Sequence, residues 1–336
     1  MMAAEAPPNP DGGRTTAATT QTQHVGAARA RPVGVTRRPR AAYLIRAWPL
    51  YLMLVPGLII LALFNYYPMY GVIIAFENYN PGLGFLGSPW VGLQNFQDLF
   101  AQADFFQVVR NTLVISMAKI VTVQVSAIGL ALLLNGVRVA LFKRTVQTIV
   151  YIPHFLSWVV LGGILIDVLS PTGLVNQVLG FLHIAPIFFL GSNTTFVPTV
   201  IVTNLWKEVG FATIVYLAAL LGIDSGLYEA AAIDGANRWQ RTLHVTLPGI
   251  VPTIVVVGAL NLGSLLQAGF DQILNLYNPA VYQTGDILDT YIYRAGLVSG
   301  QYSQAAAVGL IQSLVGFVLI LVAFGLARRF AGYEIF

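Results

Sequence analysis

The 336-residue chain has no cysteine, and only 10% of its residues are charged. The first absence excludes disulfide frameworks and thiolate chemistry. The second sits far below the roughly 25% of an ordinary globular domain. No Gly-x-x-x-x-Gly-Lys followed by Ser or Thr occurs, so no phosphate-cradling loop for ATP is expected on this chain. His24, His154, His183 and His244 show no paired ligand spacing, and they read most simply as interfacial or loop residues rather than as metal or nucleophile partners. Near the N-terminus there is no short apolar stretch followed by a small-residue cleavage site, so the first long apolar run is expected to act as the insertion signal.

What the chain does have is apolar length. Hydrophobic residues make up 56% and the mean hydropathy is +0.71. A bilayer's hydrocarbon slab needs about 20 apolar residues per spanning helix, and six runs meet that length: residues 50–75, 112–134, 146–169, 196–221, 250–270 and 306–326. The expected fold class is an all-α integral membrane protein with six transmembrane helices. Positive charge is retained on cytoplasmic flanks. Arg14, Arg29, Arg31, Arg37, Arg38, Arg40 and Arg46 fall on the same side of a six-span zigzag as Arg138, Lys143, Arg144, Arg238, Arg241, Arg328 and Arg329. The other side has Arg110 and Arg294. Both termini are thus expected in the cytoplasm (N-in/C-in), in a cell membrane, plasma or inner. The pI near 9.3 then reports topology, and no nucleic acid partner is required. Residues 1–45 form a basic cytoplasmic tail, rich in Ala, Pro, Gly, Thr and Arg, with too little apolar surface to offset chain entropy, and disorder is expected there. Residues 46–336 form the membrane domain.

A polar island interrupts the apolar pattern at residues 222–249. Asp224 or Ser225 can cap a helix starting near Gly226, Gly235 ends it, a second short helix follows from about Asn237 to His244, and Pro248 marks re-entry into the membrane. On helix chemistry alone, this is equally a connecting loop. Its pattern is more specific: Glu229-Ala230-Ala231, then Asp234-Gly235-Ala236, then Leu247-Pro248. This resembles the EAA loop of permease subunits of binding-protein-dependent ABC importers. The flanks Trp48 to Gly57, Tyr67 to Gly71, Ala75 to Pro81 and Ser88 to Phe96 resemble the carbohydrate-uptake branch, most of all permeases for plant-polysaccharide fragments such as aldouronates. Val245 replaces the usual Ile, and Thr242 stands where many members have an aromatic residue, with Trp239 and Leu243 nearby.

The resemblance implies a type I ABC importer permease fold. It also implies a homologous second permease subunit, two ATPase subunits carrying ATP and Mg, an extracellular substrate-binding protein, and no cofactor on this chain. In that family the loop docks in a groove of the ATPase, which assigns Glu229, Ala230, Ala231, Asp234, Gly235, Ala236, Leu247 and Pro248 to coupling.

Charges within the apolar runs cost about 2.5–3.5 kcal/mol each on insertion scales. Lys119 lies in span two, and Lys207 and Glu208 lie near the middle of span four. They are either neutralised by neighbours or line a route; adjacent on a helix, Lys207 and Glu208 should not face one groove together. A second polar set joins Asn204 to Asn261, Ser264, Gln267 and Asp271, the last four spaced as one helical face. Such a stripe either lines a water-filled route or holds helices together. Phe96, Leu99, Phe100, Ala103 and Phe106 form an apolar stripe expected along the membrane surface. The loops 77–110 and 271–305 could receive a binding protein or cover the lipid boundary. Gly162, Gly163, Gly258, Gly263, Gly309 and Gly316 suit close helix approach. An ion-gradient-driven secondary sugar transporter remains the rival reading; it usually shows an internal repeat, which these runs do not display.

Overall fold

The computed structural model describes residues 48–331; the tail assigned to residues 1–45 lies outside them. The chain divides after Leu61 into two units. In the first, helix α1 (Trp48–Leu61) is apolar all round, with Pro56 inside it and no buried residue, the pattern of a helix whose surroundings are hydrocarbon. The chain continues helically through Phe76, first in wide and then in tight turns, so Trp48–Phe76 is a 29-residue apolar run.

In the second unit, α2 (Gln94–Ala101) precedes α3 (Ala103–Gly136). The 34 residues of α3 span about 51 Å, well beyond the ~30 Å hydrocarbon thickness, so the helix that carries span two starts before residue 112 and extends past the hydrocarbon. The break at Gln102, which is extended, also dissolves the expected surface stripe. Leu99 and Phe105 enter the core, whereas Phe100 and Phe106 stay about half exposed.

Span three is not one helix. Instead α4 (Ala140–Tyr151) passes through a tight turn at Ile152–Phe155 and meets α5 (Trp158–Val168) at a bend of 101°. Pro153 removes a backbone donor there, and Ser157 restarts the helix by accepting from the Val160 amide. The fourth span, α6 (Phe196–Leu221), has the expected limits.

The loop helices α7 (Ser225–Ile233) and α8 (Arg238–Arg241) follow. The second does not stand alone: a wide turn at Thr242–Thr246 carries it into α9 (Leu247–Gly263), so Arg238–Gly263 is continuous. Span five then ends at Gly263 rather than near 270. Residues 264–269 leave the helix, and α10 (Phe270–Leu276) begins after Gly269, whose φ of 91° is a left-handed value that glycine adopts without a Cβ penalty. The Ser264 hydroxyl bonds back to the Asn261 carbonyl at 3.0 Å, a local competitor to helix continuation. Next come α11 (Leu288–Ile292) and the final span α12 (Tyr302–Ala331).

Among the described residues, five helices are long and apolar enough to cross a membrane, or six when the bent pair counts as one span. Among the described residues the one β pairing is an isolated bridge between Glu77 and Trp90. Among the described residues, three buried clusters hold the second unit together. Ala127, Ala131, Tyr216 and Ile250 join α3, α6 and α9. Ile115, Phe196 and Ile273 join α3, α6 and α10. Leu99, Phe105, Leu288 and Val308 join α2, α3, α11 and α12. Close backbone approach occurs at Gly162, where a Cβ would lie 2.8 Å from the Asn275 Cβ, and at Gly263, 3.0 Å from Ile320 Cγ1. Gly163 and Gly316, expected to do the same, have open space instead. The tightest such site, Gly210 against the Val150 carbonyl, was not among those expected.

Candidate functional site

Both broken spans leave carbonyls without helical partners inside an apolar bundle, where an unsatisfied group is costly. The two buried lysines answer this. Lys207 on α6, 5% exposed, donates to the His154 carbonyl (2.7 Å) at the elbow of span three. Lys119 on α3, 7% exposed, donates to the Ala268 carbonyl (2.6 Å) in the gap of span five. Gln312 on α12 donates to the Leu266 carbonyl (3.1 Å) in the same gap, and Gln272 on α10 bonds the Val200 carbonyl at 2.8 Å and Thr203 Oγ1 at 2.9 Å.

The gap is therefore fixed rather than loose. Leu266 and Ala268 are buried, each in a different core cluster, while Gln267 and Gly269 between and after them are exposed. Ser264, Gln267 and Gly269 face two cavities. One, about 390 Å³, adds Ser116, Lys119, Asn204, Glu208, Phe211 and Asn261. The other, about 890 Å³, adds Phe270, Asp289, Tyr293 and Leu297.

This geometry gathers Lys119, Asn204, Glu208, Asn261, Ser264 and Gln267 around one space. The single helical face expected for Asn261, Ser264, Gln267 and Asp271 does not exist, because the helix stops at Gly263. Unwinding brings the first three to the cavity wall and sends Asp271 to the exposed first turn of α10, outside both cavities. Lys207 is likewise absent from the wall. It does not part company with Glu208, however: their charged groups lie 3.4 Å apart, because both long side chains turn toward the same elbow. Glu208 Oε2 also meets His154 Nδ1 at 2.8 Å, and the imidazole stacks on Phe211 with ring centres 4.1 Å apart.

His154 is thus part of a charged cluster, not an unattached interfacial residue. Its sequence signal was Pro153: a proline inside an apolar run marks a break, and a break needs donors. Gln272 and Gln312 carried the same kind of signal, an amide within a largely apolar segment.

In the Glu229 loop, Asp224 caps α7 by accepting from the Gly226 amide at 2.9 Å. Beyond Ile233, Gly235 turns left-handed (φ 78°) and the Ala236 amide reaches the Ala231 carbonyl at 2.9 Å. Asn237 and Gln240 then form a reciprocal capping box that starts α8. A hollow of about 300 Å³ between the two helices is lined by Ala231, Asp234, Gly235, Ala236, Gln240 and Arg241, among others. Glu229 and Asp234 are exposed, as are Leu227, Ile233 and Trp239. Leu247 and Pro248 sit at the start of α9, and Tyr228 donates to Thr246 Oγ1 at 3.1 Å, tying the loop helix to the foot of span five.

Outside the spans, Asp286 is almost fully buried (1% exposed) and pairs with Arg294 and the Thr290 hydroxyl. Burial pushes its carboxyl above the ordinary carboxylate value, while Thr290 and Arg294 pull it back.

Residues 124–332 match the family described as binding-protein-dependent transport system inner membrane component. The chain is 44% identical to the polygalacturonan/rhamnogalacturonan transport system permease protein YteP of Bacillus subtilis (strain 168), over 85% of this chain and 90% of that one. Among solved structures it resembles a bacterial ABC transporter involved in the import of the acidic polysaccharide alginate, with 40% identity, a TM-score of 0.81, and coverage of 87% of this chain and 99% of that one. It also resembles the bacterial alginate transporter in complex with an alginate pentasaccharide-bound periplasmic protein (39% identity, TM-score 0.80, 88% of this chain and 99% of that one). With its helices, its interrupted spans and its Glu229 loop arranged on this fold, the chain belongs to the binding-protein-dependent transport system inner membrane components, the multi-pass permease subunits of ABC importers.

Proposed function

We propose that this permease carries oligosaccharides released from polysaccharides, aldouronates among them, through the two cavities that meet at residues 264–269. The carrying observation is the convergence of Lys119, Asn204, Glu208, Asn261, Ser264 and Gln267, from three spans, on one space inside an otherwise apolar bundle. A sugar hydroxyl stripped of water loses on the order of 1–3 kcal/mol unless it finds a partner, and the wall offers amides and a hydroxyl. The names of its relatives, a polygalacturonan/rhamnogalacturonan permease and an alginate importer, support a saccharide cargo.

The working assembly pairs this chain with a homologous second permease subunit, two ATPase subunits that hold ATP and Mg, and an extracellular substrate-binding protein; the chain itself holds no cofactor. Both termini and the loop at residues 222–249 face the cytoplasm. Closure of the ATPases on ATP moves α7 through Glu229, Ala230, Ala231, Asp234, Gly235 and Ala236. The Tyr228–Thr246 bond and the junction at Leu247 and Pro248 pass that motion to span five, whose gap borders both cavities. Cargo binding that differs between the two states supplies the bias for alternating access.

The test is uptake of labelled xylan- and pectin-derived oligosaccharides into proteoliposomes holding the whole transporter, with binding protein outside and ATP within the compartment bearing the ATPases. ATP-dependent uptake abolished by Glu229→Lys is expected. Uptake driven by a proton or sodium gradient in this chain alone would overturn the reading in favour of a secondary transporter.

A further inference from the structure

The two buried lysines do the same backbone work, yet their charges are treated differently. Lys207 has a carboxylate 3.4 Å away, and Glu208 spends its second oxygen on His154. Lys119 has no ion pair among the described residues; its one hydrogen bond goes to the Ala268 carbonyl. An ammonium carries three donors, and a buried charge is ordinarily paired.

Holding that carbonyl does not require a charge. Two residues earlier in the same gap, the Leu266 carbonyl is satisfied by the neutral amide of Gln312, and the Val200 carbonyl is served by the neutral amide of Gln272. If Lys119 were only a peg for the backbone, a glutamine would serve and the cost of an unpaired cation inside the membrane would vanish.

One turn before Lys119 on the same face of α3 is Ser116, 3% exposed, whose hydroxyl makes no hydrogen bond among the described residues. Both side chains line the 390 Å³ cavity, beside Asn204, Asn261, Ser264 and Gln267. The wall thus presents a lysine amine with spare donors, an unpartnered hydroxyl and several neutral amides. The anion on the wall, Glu208, bonds His154 and lies 3.4 Å from Lys207; its charge also reaches Lys119 across the cavity without forming an ion pair there.

We infer that Lys119, with Ser116, is the carboxylate-reading site of this permease: it selects oligosaccharides carrying a uronic acid over neutral ones of the same size. The inference rests on the saccharide route proposed above. A charge-assisted bond from the ammonium and a hydroxyl bond from Ser116 meet the carboxylate, and the surrounding amides accept or donate to ring hydroxyls.

The test compares ATP-driven uptake of uronic acid trisaccharides with that of their methyl esters, in the complete transporter with one binding protein throughout. Lys119→Gln keeps a donor for Ala268 and removes the charge; Lys119→Arg keeps the charge. The readout is the acid-to-ester uptake ratio, which does not depend on how much protein is folded. In Lys119→Gln the ratio is expected to fall about tenfold to a hundredfold, the loss set by a hydrogen bond to a charged group. In Lys119→Arg it should stay nearer wild type, and Ser116→Ala should lower it more modestly. An unchanged ratio in Lys119→Gln overturns the inference and returns Lys119 to backbone support, as does a wild type that prefers the esters. Uptake of neither sugar by an assembled, ATP-hydrolysing wild type sinks the saccharide route itself, and the inference with it.

Discussion

Replacing Gly235 with proline should uncouple transport while leaving the protein in the membrane. Gly235 sits at φ 78° between α7 and α8, its amide bonds the Ala232 carbonyl at 3.1 Å, and the turn it makes lets Asn237 and Gln240 cap α8. Proline fixes φ near −65° and has no amide hydrogen, so it loses both the turn and the bond. A residue forced from its backbone well costs about 1–3 kcal/mol and a lost hydrogen bond about 1 kcal/mol; about 3 kcal/mol together lowers the ratio of correctly turned to misturned loop roughly a hundredfold. A Cβ at 235 would meet nothing within 4 Å, so crowding is not part of the effect. That makes Gly235→Asn a sharp control, because Asn tolerates the left-handed region. The assay is ATP-driven uptake with ATP hydrolysis followed in the same vesicles. Proline should cut uptake at least about tenfold with the bundle still inserted, whereas asparagine should stay within about threefold of wild type. Normal uptake by the proline variant, or equal damage from asparagine, would refute the account of the loop.

Gly210→Ala should lower thermal stability in detergent by about 1–3 kcal/mol, because its Cβ would run into the Val150 carbonyl of α4, while Gly163→Ala, with open space around it, should be nearly neutral. Arg294→Met should weaken the 271–305 region, since it strands the buried Asp286 carboxylate; Asp286→Asn in the same chain should recover much of the loss, a coupling that a double-mutant cycle of melting temperatures measures. The Asp286 carboxyl titrates above its ordinary value because of burial, so its protonated form is favoured by folding. In Arg294→Met that preference should grow, and the deficit should shrink as pH falls from neutrality toward the raised carboxyl value. Asn261→Leu and Gln267→Leu should raise KM or lower the uptake rate without changing assembly with the ATPases; unaltered kinetics in both would reduce the cavity wall to packing.

The spans were legible because hydrocarbon thickness demands long apolar runs, and α6 fell where its residues said it should. The interruptions were not legible for the same reason. Pro153 and Gly269 barely alter the hydropathy of their runs, so a length argument passes straight over a 101° elbow and an unwound gap. Helical periodicity failed with them. It placed Asn261, Ser264, Gln267 and Asp271 on one face, whereas the gap delivers the first three to the cavity by leaving the helix and excludes the fourth. The trace of the breaks was in other spans. Lys119 and Lys207 stood out as unexplained charges, and each proves to donate to a carbonyl opened by a break far away in sequence. A lysine isolated in an apolar run is therefore evidence about its neighbour's backbone as well as about a route. The two uses separate only when the charge is followed to its partner: Lys207 finds Glu208 within 3.4 Å, whereas Lys119, on the cavity wall, has no ion pair among the described residues.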